Sequence, residues 1–124
     1  MGKRFLIDTS ACSSFILGKL SDESTTLMSS LPESNISVVS RMELLSWKAN
    51  IIIETAVQEL VNVSSIFDLS EEIIQKTIEI RRKVKIKLPD AIIAATAIVN
   101  GFVLLSTNDK DFLRVPKLKY QSLN

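Results

Sequence analysis

The segment from Leu88 to Phe112 leaves few ways for this chain to fold. Pro89 followed by Asp90 reads as the opening of a helix. Proline's missing N–H costs little in the first turn, and a carboxylate there faces unpaired backbone N–H groups. The turns after it are apolar on every side, Asn100-Gly101 ends them, and residues 102–106 read as a short strand buried on both faces. Such a strand points to a parallel sheet with helices on both sides. Open α/β sheets place their ligands at the carboxyl ends of the strands, which is where Thr107, Asn108, Asp109 and Asp111 arrive. Asp90 also has a plainer reading as a helix cap, and the acidic cluster that follows the strand is what argues for more.

The rest of the chain repeats the alternation. Residues 4–7 are a short apolar run that stops at Asp8, Thr9 and Ser10, and Phe15, Ile16 and Leu20 then recur at helical spacing. Asp8 therefore sits at a strand's carboxyl end, with capping of the helix, helped by Thr9 and Ser10, as the alternative. Residues 21–30 read as a second helix, broken by Leu31-Pro32, and residues 36–39 as the next strand. Ser40 then caps a helix that carries Glu43 three residues later, the spacing of a capping box; that role competes with one in the cleft. Met42, Leu45 and Ala49 form the expected buried stripe of this helix, and Trp47 is a packing or interface aromatic. Residues 51–60 make a helix apolar on more than one side, an excess that points to a homodimer seam. Residues 61–67 form a weaker strand, and Ser70, Glu71 and Glu72 open a long helix running to Arg81. Its acidic start and basic end suit the helix dipole, so part of the block Arg81, Arg82, Lys83, Lys85 and Lys87 is ordinary helix chemistry. Residues 113–117 read as a basic turn, and 118–120 as a last short strand.

At 124 residues, 46% of them apolar, the chain is long enough for one domain, residues 1–124, with a core on each side of a sheet. Parallel strands joined by helices bring Asp8, Glu43, Asp90 and Asp109 to one edge although they are far apart in sequence. Carboxylates crowded together raise one another's pKa unless a cation neutralises them. With no His and one Cys, the usual zinc sites are out of reach, and hard oxygen donors select Mg2+ or Mn2+. A cation held this way commonly activates a water against a phosphodiester, and the neighbouring Lys and Arg side chains suit a polyanion. Cys12 has no His to activate it and reads as a small core residue. No leader precedes the first strand and residues 92–99 are too short to span a bilayer, so the expectation is a cytoplasmic protein without a membrane partner.

Four segments carry a resemblance. Phe5-Leu-Ile-Asp8-Thr-Ser10, Ile36-Ser-Val-Val-Ser-Arg-Met-Glu43-Leu-Leu45, Leu88-Pro-Asp90-Ala-Ile-Ile-Ala-Ala-Thr-Ala97 and Ser106-Thr-Asn-Asp109-Lys-Asp-Phe112 resemble, in order and at family spacing, the four motif blocks of PIN-domain ribonucleases. The nearest likeness is to the VapC toxins of prokaryotic type II toxin–antitoxin pairs, and it covers nearly the whole chain. It implies a three-layer α/β/α sandwich around a five-stranded parallel sheet, and a Mg2+-dependent endoribonuclease acting on RNA. It also implies a cognate antitoxin protein and pairing as a homodimer. The family's four catalytic, metal-holding acids fall on Asp8, Glu43, Asp90 and Asp109. At the fourth position family members carry Asn or Asp, with one residue more or less before the following Asp-Phe, so Asn108 and Asp111 stand as alternatives. Thr107 or Ser106 resembles the family's hydroxyl that supports an acid or a water. Other phosphate-handling α/β families fit less well. A receiver domain wants paired acids where Asp8 is followed by Thr9, a haloacid-dehalogenase-type phosphatase wants an Asp where Ser10 stands, and no P-loop is present. A housekeeping RNA-processing nuclease, or a non-catalytic RNA-binding module on the same fold, are the alternative functions. Loss of an acid would favour the module, and all four acids are present.

Overall fold

The central strands of the computed structural model, which describes residues 2–124, are short and send side chains into both faces of the sheet. In β1 (Phe5–Ile7) Leu6 enters one core and Ile7 the other; in β4 (Val103–Ser106) Leu104 and Leu105 divide the same way, and all four are buried. The pleat dictates this, because successive side chains point to opposite faces. β1 pairs in parallel with β4, Ile7 opposite Leu105, and β4 pairs in parallel with β5 (Tyr120–Ser122). β2 (Asn35–Ser37) pairs in parallel with β3 (Ser65–Phe67) and lies along the free side of β1, where the buried Asn35 donates its side-chain amide to the Phe5 carbonyl at 3.0 Å. The result is a five-stranded parallel sheet in the order β3-β2-β1-β4-β5, sandwiched between helices.

On one face α5 (Glu71–Lys83) and α6 (Leu88–Asn100) pack together around Ile73, Ile80, Ile93 and Phe102. Ala91, Ala94, Ala95 and Ala97 are all fully buried along α6, and their small side chains let its backbone lie close to the sheet and to α5. On the other face α1 (Thr9–Ile16), α2 (Asp22–Ser30) and α4 (Ile51–Val63) surround Ala11, Cys12, Met28, Val57 and Val61. α3 (Val38–Ser46) serves both cores, through Val39 on one side and Leu44 on the other. A single-turn helix, α7 (Asp109–Phe112), follows β4. No helix among the described residues is long and apolar enough to cross a membrane.

Local signals place several helix ends where they are expected. Ser21 and Ser70 cap α2 and α5, and Gly101, at φ 70°, ends α6 in the left-handed conformation that glycine adopts without steric cost. Elsewhere tertiary packing overrides the pattern. β2 ends at Ser37, whose hydroxyl accepts from the Val39 amide at 3.1 Å and caps α3 from Val38 onward. Ser40 is therefore buried inside the first turn, and the capping box with Glu43 does not form. The buried face of this helix runs through Val39 and Leu44, not through the predicted stripe: Met42 and Leu45 are 54% and 45% exposed. α4 runs on to Val63 because Val61, four residues after Val57, continues its buried face; only 65–67 remain for β3. The last strand lies at Tyr120–Ser122, after the turn through Lys117 at φ 67°.

Candidate active site

The pairing of β1 with β4 determines where the first acid goes. Since Ile7 lies opposite Leu105, Asp8 and Ser106 leave the sheet side by side, and the Asp8 amide still donates to the Leu105 carbonyl at 3.1 Å. Asp8 then caps α1, with Oδ1 accepting from the Ala11 amide at 2.8 Å, while Oδ2 accepts from the Ser106 hydroxyl at 2.6 Å. The Ser10 hydroxyl lies 2.9 and 3.0 Å from the same two oxygens. Asp8 as a whole is 3% exposed. Burial pushes its pKa up to about 6, against the bonds from Ser106, Ala11 and Ser10 that favour the charged form, and the charge of Asp90 adds to the rise.

α6 delivers Asp90 in its first turn and leaves it free of any capping role, because Lys87 occupies the cap position and makes no side-chain capping bond. Burial raises the Asp90 pKa, followed by the like charges of Asp111 and Glu43, while Lys87 pulls the other way; no hydrogen bond to the carboxylate offsets them among the described residues. A half-buried acid that faces other carboxylates and lacks a donor favours a cation or a proton. Glu43 joins from α3. It reaches back to α1, where the Thr9 hydroxyl donates to its Oε1 at 2.5 Å and lies 3.0 Å from Ser40 Oγ.

The two acids after β4 part company. Asp111 faces Asp90, and bonds from Asn108 Nδ2 and from Arg114, each at 3.0 Å, hold its carboxyl below the usual range. Asp109 turns the other way, toward β5, where Tyr120, Asn124 and Ser122 donate to it and hold it low. It is not among the charged neighbours that shift Asp8 or Asp90. The charges that raise Asp90 are those of Asp111 and Glu43, and the charge of Asp90 in turn raises Asp8. Two sets of partners have no signature in the sequence: Thr9 on Glu43, and Tyr120, Ser122 and Asn124 on Asp109. Strand order, not local spacing, brings them together.

Beside the acids, a groove lined by Ile78, Arg81, Arg82, Lys85, Ile86 and Leu88 runs from the end of α5 to the start of α6. Arg81 Nε donates to the Ile86 carbonyl and Lys83 pairs with Glu79, whereas Arg82, Lys85 and Lys87 have no anionic partner within salt-bridge distance among the described residues. An all-oxygen donor set suits a hard cation such as Mg2+ or Mn2+. Among the described residues no three or more acidic, His or Cys side chains are arranged as a ready-made metal cage. Mg2+ commonly takes only one or two carboxylates and keeps several waters. The free Asp90 carboxylate beside Asp8 matches that need.

No curated protein matches the sequence. Among solved structures, the chain is similar to a toxin–antitoxin complex from Klebsiella pneumoniae, at 26% identity and TM-score 0.78, over 96% of this chain and 97% of that one. It is also similar to DNA-bound VapBC from Salmonella typhimurium, at 20% identity and TM-score 0.81, over 99% and 100% of the two chains. FitAcB from Neisseria gonorrhoeae matches at 18% identity and TM-score 0.72, over 97% and 96%. A sequence model of the PIN domain matches residues 5–118, a span that takes in the strands β1 to β4 and every acid at their edge; the chain belongs to the PIN-domain family.

Proposed function

We propose that this chain is a metal-dependent endoribonuclease that hydrolyses RNA phosphodiester bonds, acting as the toxin of a type II toxin–antitoxin pair and neutralised by a cognate antitoxin. The reading takes it as a single nuclease domain working in the cytoplasm. The observation that carries the catalytic part is Asp90, a half-buried carboxylate without a donor that faces Glu43 and Asp111 and acts on the charge of Asp8. Asp8 and Asp90 would hold Mg2+, or Mn2+ in its place, with Glu43 and Asp111 as the other acids at that edge. When bound, the cation neutralises the phosphodiester and lowers the pKa of a water.

The chain's own residues position the reactants and take protons. Thr9 fixes one oxygen of Glu43, which leaves the other to orient a water and accept its proton. Arg82, Lys85 and Lys87 draw the RNA backbone toward the acids, an attraction that weakens with salt. Water attacks phosphorus in line as Glu43 takes its proton; a new P–O bond forms, the P–O3′ bond breaks, and the 3′ oxygen takes a proton from solvent as it leaves. The products are a 5′-phosphate and a 3′-hydroxyl. A His-based route through a 2′,3′-cyclic phosphate is closed to a chain with no His.

The toxin role is supported by the likeness to the Klebsiella pneumoniae toxin–antitoxin complex, which extends over nearly the full length of both chains. Expression of the wild-type chain without a partner tests it. Growth arrest is expected, and relief of that arrest by Asp90→Asn. Tolerance of the wild-type chain at the same level of expression contradicts the toxin role and favours RNA processing.

A further inference from the structure

Asp109 accepts hydrogen bonds from three side chains, and all of them come from β5 and the residues after it rather than from the acid cluster. Its Oδ1 accepts from the Tyr120 hydroxyl; its Oδ2 accepts from Ser122 Oγ at 2.8 Å and Asn124 Nδ2 at 3.0 Å. Asp8 accepts from as many donors, so what sets Asp109 apart is direction: its oxygens are turned to β5, and its charge is not among those that act on Asp8 or Asp90. The donors to Asp109 also hold the neighbouring backbone. The Tyr120 hydroxyl lies 3.2 Å from the Ser106 carbonyl, and Asn124 Nδ2 donates to the Thr107 carbonyl at 2.9 Å.

What this network holds is the strip that faces the acids. Ser106 donates to Asp8 Oδ2 and accepts from the Asn108 amide at 2.8 Å, and Asn108 donates to Asp111 on the side facing Asp90. α7 has only four residues and no side-chain cap at Asn108, so it is too short to be held by its own backbone bonds. Its placement depends on tertiary contacts, namely the buried Phe112, whose ring centroid is 6.0 Å from that of Tyr120, and the bonds to Asp109.

We propose that Asp109 is a positioning residue, the anchor through which Tyr120, Ser122 and Asn124 fix residues 106–112 so that Ser106 and Asp111 stand toward Asp8 and Asp90. This rests on the reading of Asp8 and Asp90 as the metal-holding acids, and it removes Asp109 from the ligands. The test combines calorimetric titration of Mn2+ with amide hydrogen exchange of the metal-free protein, on wild type, Asp109→Asn, Asp109→Ala, Tyr120→Phe and Asp90→Asn. Asp109→Asn keeps the shape and an oxygen for Tyr120, and is expected to bind Mn2+ within about threefold of wild type, whereas Asp109→Ala and Tyr120→Phe bind on the order of tenfold more weakly. In those two variants exchange over 107–112 speeds up before any metal is added, while Asp90→Asn loses Mn2+ binding with that exchange unchanged. Asp109→Asn binding Mn2+ as poorly as Asp90→Asn overturns the proposal and makes Asp109 a ligand. Unchanged exchange over 107–112 in Asp109→Ala and Tyr120→Phe overturns it as well. Full Mn2+ affinity in Asp90→Asn refutes the metal site itself, and the exchange comparison then still decides whether Asp109 anchors the segment.

Discussion

Asp8 caps a helix and is buried, and the two circumstances pull its charge in opposite directions. Burial prevails, so the folded pKa stands at about 6. The unfolded value is about 3.9. Between these values the folded protein binds the proton and the unfolded chain does not. The stability Asp8 contributes is therefore fully present below about pH 4 and lost as pH rises through about 6, a swing of roughly 3 kcal/mol. Asp8→Asn stays neutral throughout and keeps an oxygen for the Ala11 amide. Urea unfolding of the metal-free proteins from pH 4 to 7.5 isolates the effect. The midpoint of wild type should fall relative to that of Asp8→Asn as pH rises, leaving the variant more stable at pH 7. A variant less stable than wild type at pH 7, with a parallel pH profile, contradicts the account of Asp8.

At the scale of the elements, α4 carries the largest mismatch between sequence and solvent. Val57 and Val61 face the core, but Ile51 and Ile52 at its start are 76% and 78% exposed. Unpaired aliphatic surface of this kind is what a homodimer would cover. Sedimentation equilibrium at micromolar concentration should report a dimer for wild type and a monomer for Ile51→Lys/Ile52→Lys, with unchanged circular dichroism because neither residue is in the core. A wild-type monomer contradicts the dimer and leaves the antitoxin as the partner for this surface. The elements that were legible in the sequence are those with strong local signals: the strands around Leu6 and Leu104, the helix closed by Gly101, and the helices opened by Ser21 and Ser70. Val38-Val39 and Val61 to Val63 read as strand because β-branched residues favour a pleated surface, but the cap at Ser37 and the burial of Val39 and Val61 turn both into helix. The acids at the strand ends were legible for the same reason as the strands. The different directions of Asp109 and Asp111 were not, because Tyr120, Ser122 and Asn124 arrive from a separate strand.

At the scale of the whole molecule, a sheet with every strand parallel puts its carboxyl ends on one edge, and this chain places Asp8, Asp90, Glu43 and Asp111 there beside an open basic groove. A near-neutral net charge of +1 conceals that arrangement, since acid and base are segregated locally and cancel only in the sum. In the proposed function the two features work together, the cations drawing the RNA backbone while the acids hold the metal that acts on it. In that function, hydrolysis depends on a cation held by Asp8 and Asp90. The most direct measurement is end-group analysis of RNA cleaved by purified wild type and Asp90→Asn, with Mg2+ and with EDTA. Wild type in Mg2+ should leave 5′-phosphate and 3′-hydroxyl ends, EDTA should abolish cleavage, and Asp90→Asn should lose on the order of a hundredfold in rate. Cleavage at full rate in EDTA, or products ending in a 2′,3′-cyclic phosphate, would contradict this mechanism.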